Sequence, residues 1–109
     1  MNWISLQDEK QLMEITEKSN TRPQVIYKHS TRCGISSMVK SRLERSKLPE
    51  DADYYFLDII HYRSLSNQVA GKFQVYHESP QVLVIRNGEC VYDESHTGIN
   101  AQEIMAQAI

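Results

Sequence analysis

Cys33 and Cys90 are the only two residues in this chain able to make or break a sulfur–sulfur bond, and they lie far apart in sequence. Ser36 follows Cys33 at the third position, in the run Cys33-Gly34-Ile35-Ser36. A strand-forming run precedes the cysteine and an amphipathic run follows it, which places Cys33 at a helix N-terminus. Such termini present unsatisfied N–H groups and a partial positive charge. A thiolate there is stabilised, so its pKa falls and more of it is reactive. Ser36 can offer the sulfur its hydroxyl or its own N–H, and Lys28, His29 and Arg32 add positive charge nearby. The bland alternative is a small buried apolar residue. Thr31, Arg32 and Gly34 around it read as solvent-facing and favour the reactive thiol.

The elements that must hold this cysteine follow from periodicity. Ser5-Leu6-Gln7-Asp8 has the form of a helix cap. Leu6, Leu12, Met13 and Ile15 recur at roughly helical spacing, predicting a helix over about 6–19 that Asn20-Thr21-Arg22-Pro23 ends. Gln24 to His29 reads as a strand. Over about 34–46, Ile35, Met38, Val39 and Leu43 predict the apolar face of a second helix. A strand over 54–59 and a short helix over about 64–72 come next, and only one of Tyr54 and Tyr55 needs burial. Gln81-Val82-Leu83-Val84-Ile85 is a nearly unbroken apolar run, as in a strand covered on both faces. Asn87-Gly88 is a two-residue hairpin signal, with a return strand over 89–93. Gly98 breaks the chain, and Asn100 caps a last helix to Ala108. The order αβαβαββα predicts an α/β domain over 1–109, a four-stranded mixed sheet flanked by helices, with an extra N-terminal helix.

The hairpin also separates the cysteines. A two-residue turn puts Arg86 opposite Glu89 and Ile85 opposite Cys90. Cys90 is then about five residues, or roughly 17 Å, from the level of Pro80. A disulfide needs Cα atoms within about 7 Å, so Cys90 is expected to be a structural or idle thiol. The same register puts Ser95 opposite Pro80. Ser95, His96, Thr97 and Gly98 would then border the site, with His96 as a site residue or an ordinary surface histidine.

A strand, then Cys-x-x-Ser opening a helix, then a proline before a strand–Asn-Gly–strand hairpin resembles the thioredoxin fold over nearly the whole chain. In that fold Cys33 and Ser36 resemble a monothiol active site. The resemblance implies a cis Pro80 facing the cysteine, with Ser79 and Pro80 binding the substrate backbone. Closer still, the chain resembles the monothiol bacilliredoxins, thioredoxin-like proteins of the bacillithiol system. Lys28-His29-Ser30, Cys33-x-Ile35-Ser36, the run Tyr76 to Gln81, Asn87-Gly88 and Ser95-His96-x-Gly98-Ile99 carry that likeness. It departs at Arg32 and Gly34, where the family often has threonine and proline. The resemblance implies a thiol–disulfide oxidoreductase that removes bacillithiol from S-bacillithiolated cytosolic proteins. Bacillithiol would be a co-substrate, with no bound cofactor. Arg32, Gly34, Ser79, Pro80, Ser95 and His96 would meet the substrate. Lys28 and Arg32 would either meet bacillithiol carboxylates or form a solvated basic rim.

Two other readings compete. Cys33-Gly34-Ile35-Ser36 also resembles the Cys-Gly-Phe-Ser site of monothiol glutaredoxins, which hold an iron–sulfur cluster with glutathione. The paired glycines that help those proteins bind glutathione are missing from Asp93 to Gly98. The third reading is a non-catalytic thioredoxin-like adapter.

Composition narrows the classes. A formal net charge of −2 over 109 residues argues against a nucleic-acid binder working by bulk electrostatics. No apolar run approaches the roughly 18 residues of a membrane span. The first residues do not read as a signal peptide, so a cytoplasmic setting with reduced thiols is expected. His29, His61, His77 and His96 show no metal spacing and read as surface or loop residues. Asp58 is expected to be a strand-end turn residue, or else a buried proton relay.

Overall fold

Gln24–His29 and Gln81–Arg86, runs rich in β-branched and other apolar residues, become adjacent strands of the sheet with both faces buried. A computed structural model describes residues 1–108. Its strands are β1 (Ile4–Ser5), β2 (Gln24–His29), β3 (Asp53–Asp58), β4 (Gln81–Arg86) and β5 (Glu89–Ser95). Its helices are α1 (Glu9–Lys18), α2 (Gly34–Arg45), α3 (Arg63–Phe73) and α4 (Ala101–Gln107), with a 3-10 turn at His96–Gly98. The sheet order is β1-β3-β2-β4-β5. β2 runs parallel to β3 and antiparallel to β4, and β5 returns antiparallel beside β4.

Alternation along the strands divides the core in two. Ile26, Leu57, Leu83 and Ile85 pack with Leu12 and Ile15 of α1 and Leu65 and Val69 of α3. Val25, Tyr27, Val82 and Val84 pack on the other face with Val39 and Leu43 of α2 and Ile104 of α4. Tyr54 and Tyr55 are both buried, contrary to the expectation that one suffices, because each sheet face is covered.

The sheet has five strands among the described residues, not four. Ile4 and Ser5 pair in parallel with Tyr55 and Phe56, and the Leu6 N–H donates to the Phe56 carbonyl at 2.9 Å. A two-residue strand is too short to show a period of two. It also displaces the expected helix start. Asp8, not Ser5, caps α1: its Oδ1 accepts from the Gln11 N–H at 3.0 Å, and Gln11 Oε1 accepts from the Asp8 N–H at 3.2 Å. This reciprocal box satisfies two otherwise orphaned donors.

α2 starts where expected but is turned differently. Ser36, Val39 and Leu43 face the core, while Ile35 and Met38 are exposed. A serine occupies a place that hydrophobic patterning assigned to apolar residues. Among the described residues no helix is long and apolar enough to cross a membrane.

Replacing Asp8 with Ala removes the cap and is expected to cost about 1 kcal/mol of stability in urea unfolding. Ser5→Ala is expected to change stability little, because Ser5 gives only its backbone carbonyl to Gln11 Nε2.

Candidate active site

The end of β2 and the first turn of α2 are joined by hydrogen bonds that converge on two serines. The Ser30 carbonyl accepts from the Cys33 N–H at 3.1 Å, and Ser30 Oγ accepts from the Arg32 N–H at 3.3 Å. The buried Ser36 Oγ accepts from the Ser30 N–H at 3.3 Å. Tyr27, fully buried below, donates its hydroxyl to the Ser36 carbonyl at 2.7 Å. Burial raises the Tyr27 pKa, and a Cys33 thiolate raises it further, so the hydroxyl stays a donor.

Cys33 is the N-cap of α2, with φ −113° and ψ 117°, and is free and partly exposed. Its neutral thiol makes no capping hydrogen bond. A thiol is a weak acceptor and a thiolate a strong one. The Ser36 N–H, the Ser36 hydroxyl and the Ile35 N–H favour the anion and outweigh the desolvation that opposes it, so the Cys33 pKa lies below its ordinary value. Because Ser36 Oγ accepts from Ser30, its own proton is free to point at sulfur. Thr31, Arg32 and Gly34 are exposed around it, and a Cβ added to Gly34 would meet open space.

Gln81 pairs with Lys28, which puts Pro80 at the end of the sheet where the Cys33 loop emerges. The Ser79–Pro80 peptide is cis. Ser79 makes no backbone hydrogen bond among the described residues, and its enclosed Oγ has no partner.

The hairpin register agrees with expectation at Arg86–Glu89 and Ile85–Cys90, then slips. Val84 faces Tyr92, so Val91 is an extra residue, and Ser95 lies opposite Gln81 rather than Pro80. Such a bulge bends the strand and re-aims its side chains. His96 takes the expected place of Ser95, donating its N–H to the Pro80 carbonyl at 2.9 Å. It does so from a left-handed conformation, φ 56°, with Nε2 3.6 Å from a Glu78 carboxylate oxygen. The turn after it packs against α2, and Gly98 is crowded there: a Cβ would sit 2.9 Å from the Glu94 side chain.

Other expectations need correction. Lys28 belongs neither to a solvated rim nor to a carboxylate site beside Cys33. It is fully buried, and burial alone lowers its pKa to about 8. The period of two puts Tyr27 and His29 on the α2 face and Lys28 on the other, a signal already present in the sequence. His29 is not a surface residue. It is buried beside Tyr27 and Phe56, and desolvation lowers its pKa. Asp58 is the turn residue: its Oδ1 accepts from the Ile60 N–H, and Oδ2 lies 2.7 Å from His61 Nδ1. Sequence reasoning missed the bonding of Tyr27 and Ser30, whose signal was their proximity to Cys33.

Cys90 is half-buried against the α1/α3 core, away from the face that carries α2. Burial pushes its thiol up to about 11, so it stays protonated at neutral pH. Among the described residues no group of three or more His, Cys, Asp or Glu side chains gathers as a metal site.

A cysteine of lowered pKa at the N-cap position of α2, with a cis-proline loop at the same end of a mixed sheet, defines a thioredoxin-fold protein with a thiol redox function. A solved structure described as a candidate oxidoreductase with a thioredoxin fold shares 31% identity and a TM-score of 0.80, covering 95% of this chain and 91% of that one. Thioredoxins of Malassezia sympodialis and Fasciola hepatica, at 15% and 17% identity, each reach a TM-score of 0.74 and cover 96% of this chain, and 86% and 98% of their own. At that identity they show the fold alone. The family described as Monothiol bacilliredoxin BrxC matches residues 4–104, and the chain belongs to that family.

Ser36→Ala is expected to move the pH midpoint of Cys33 alkylation upward, leaving the part of the shift that comes from the backbone N–H groups. It also strands the Ser30 N–H, at about 1–3 kcal/mol in urea unfolding.

Proposed function

We propose that the protein removes bacillithiol from S-bacillithiolated proteins by a monothiol mechanism centred on Cys33. The observation that carries this is the contrast between its two thiols, read together with the family. Cys33 is exposed and acidified at a helix start, while Cys90 is half-buried, of raised pKa and packed on the opposite face.

The Cys33 thiolate attacks the bacillithiol sulfur of the mixed disulfide. A sulfur–sulfur bond forms between Cys33 and bacillithiol, the original one breaks, and the substrate protein leaves as a thiolate. No second cysteine of this chain resolves the product. A bacillithiol thiolate from solution attacks the bacillithiol sulfur of that disulfide, giving oxidised bacillithiol and the free Cys33 thiolate. Ser36 stabilises the sulfur each time it carries charge.

Ser79 and Pro80 receive the substrate backbone, and the unbonded Ser79 backbone supports this. Gly34 leaves room above the sulfur, and Arg32 supplies a cation for bacillithiol carboxylates. Ser95, paired with Gln81, and His96, bonded to the Pro80 carbonyl, border the site from the β5 side. The reaction needs no bound cofactor, and the setting is the cytoplasm.

The test follows both partners by intact mass. With a bacillithiolated protein, the bacillithiol mass is expected to move to Cys33, and Cys90→Ser to behave like the parent. Unchanged removal by Cys33→Ser would refute the mechanism.

A further inference from the structure

Lys28 is a fully buried amine, and no ion pair among the described residues supplies it a carboxylate. Its Nζ lies 3.2 Å from the Ser66 carbonyl on α3 and 3.2 Å from His77 Nδ1. An ammonium only donates, so His77 Nδ1 is the acceptor and the ring proton sits on Nε2. The Ser66 hydroxyl lies 3.1 Å from the same Nδ1. The charged groups around this contact are Arg63 at the start of α3, which works with Lys28 against protonation of His77, and Glu78, which opposes them. Although His77 is exposed overall, partial desolvation, Lys28 and Arg63 lower its pKa.

The neighbouring strand repeats the pattern. Gln81 pairs with Lys28 across β2 and β4, and its Nε2 donates to the Tyr76 carbonyl at 2.8 Å. One cross-strand pair therefore holds two consecutive residues, Tyr76 and His77, of the loop that runs into Ser79 and Pro80. The Ser66 hydroxyl at His77, the Glu78–His96 contact and the His96 N–H on the Pro80 carbonyl also restrain that loop, but His77, Glu78 and Ser79 make no backbone hydrogen bonds among the described residues. Two acceptors suit an amine in either charge state: three N–H groups serve them when protonated and two when neutral.

We propose that Lys28 is a positioning residue for exchange with peptide substrates, setting through His77 the height of the Ser79–Pro80 backbone beside Cys33. The inference rests on the reading that this loop receives the substrate chain. Lys28 itself touches neither the thiol nor the substrate. It acts by placing backbone groups that a peptide must meet while sulfur is attacked, and small errors in such placement slow reactions strongly.

The test compares two disulfides that lack bacillithiol. One is a short peptide whose cysteine carries thionitrobenzoate; the other is the symmetrical aromatic disulfide of the same thiol, which has no backbone. In each, Cys33 forms the new disulfide and coloured thionitrobenzoate leaves. Lys28→Met keeps the apolar stem and removes a buried charge, so the fold is expected to survive. It is expected to slow the single-turnover peptide reaction roughly tenfold or more, mainly by raising the peptide concentration needed for half-saturation, and to leave the small disulfide at the parent rate. His77→Ala is expected to do the same. His77→Asn, whose Oδ1 can take the place of Nδ1, is expected to restore most of the peptide rate. A peptide rate equal to the parent's in Lys28→Met would overturn the proposal. So would equal slowing of both disulfides, which signals general damage, or an Asn variant no better than Ala. Because bacillithiol is absent, failure of bacillithiol removal would leave this result readable on its own.

Discussion

Ser36 is the residue through which the strand, the loop and the helix at the site are joined. Its carbonyl is held by the Tyr27 hydroxyl from β2, and its Oγ by the Ser30 N–H from the loop. Both bonds are buried, where an unmet polar group costs about 1–3 kcal/mol. They fix the first turn of α2 against the end of β2, and so fix where its free N–H groups point. The acidity of Cys33 follows from that geometry rather than from nearby cations. The groups that lower its pKa are N–H and hydroxyl donors of Ser36 and Ile35, while Lys28 and His29, basic in type, are buried.

The same sheet that presents one thiol shelters the other. Cys90 sits at the hairpin end, opposite Ile85, where Asn87 and Gly88 reach the end of α1 through Ser19. Its sulfur donates to the Tyr92 carbonyl at 3.3 Å. A thiol in that setting has neither the charge state nor the position to resolve a disulfide on Cys33. The fold thus gives the two thiols different settings, with Ser36 three residues beyond Cys33 in the first turn of α2.

Much of this was legible in the sequence. The Cys-x-x-Ser step at a strand–helix junction, the apolar run of β4 and the Asn87-Gly88 turn each carry a strong local signal, and each element formed. Features set by tertiary contact were not legible. Ile4 and Ser5 make a strand only because the edge of β3 is open to them. The bulge at Val91 leaves no trace in composition, and it moved His96 into the place expected of Ser95. Lys28 reads as a surface cation by type, yet its strand is covered on both sides, and burial overrode the residue's preference. Ser36 likewise holds a core position that hydrophobic patterning assigns to apolar side chains.

That the start of α2 acidifies Cys33 is open to direct measurement. It is tested most directly by titrating the ultraviolet absorbance of the thiolate in Cys90→Ser protein, folded and in denaturant. The folded protein should ionise at clearly lower pH than the unfolded chain, since the N–H donors exist only in the fold. A folded midpoint at or above the unfolded one would contradict the account.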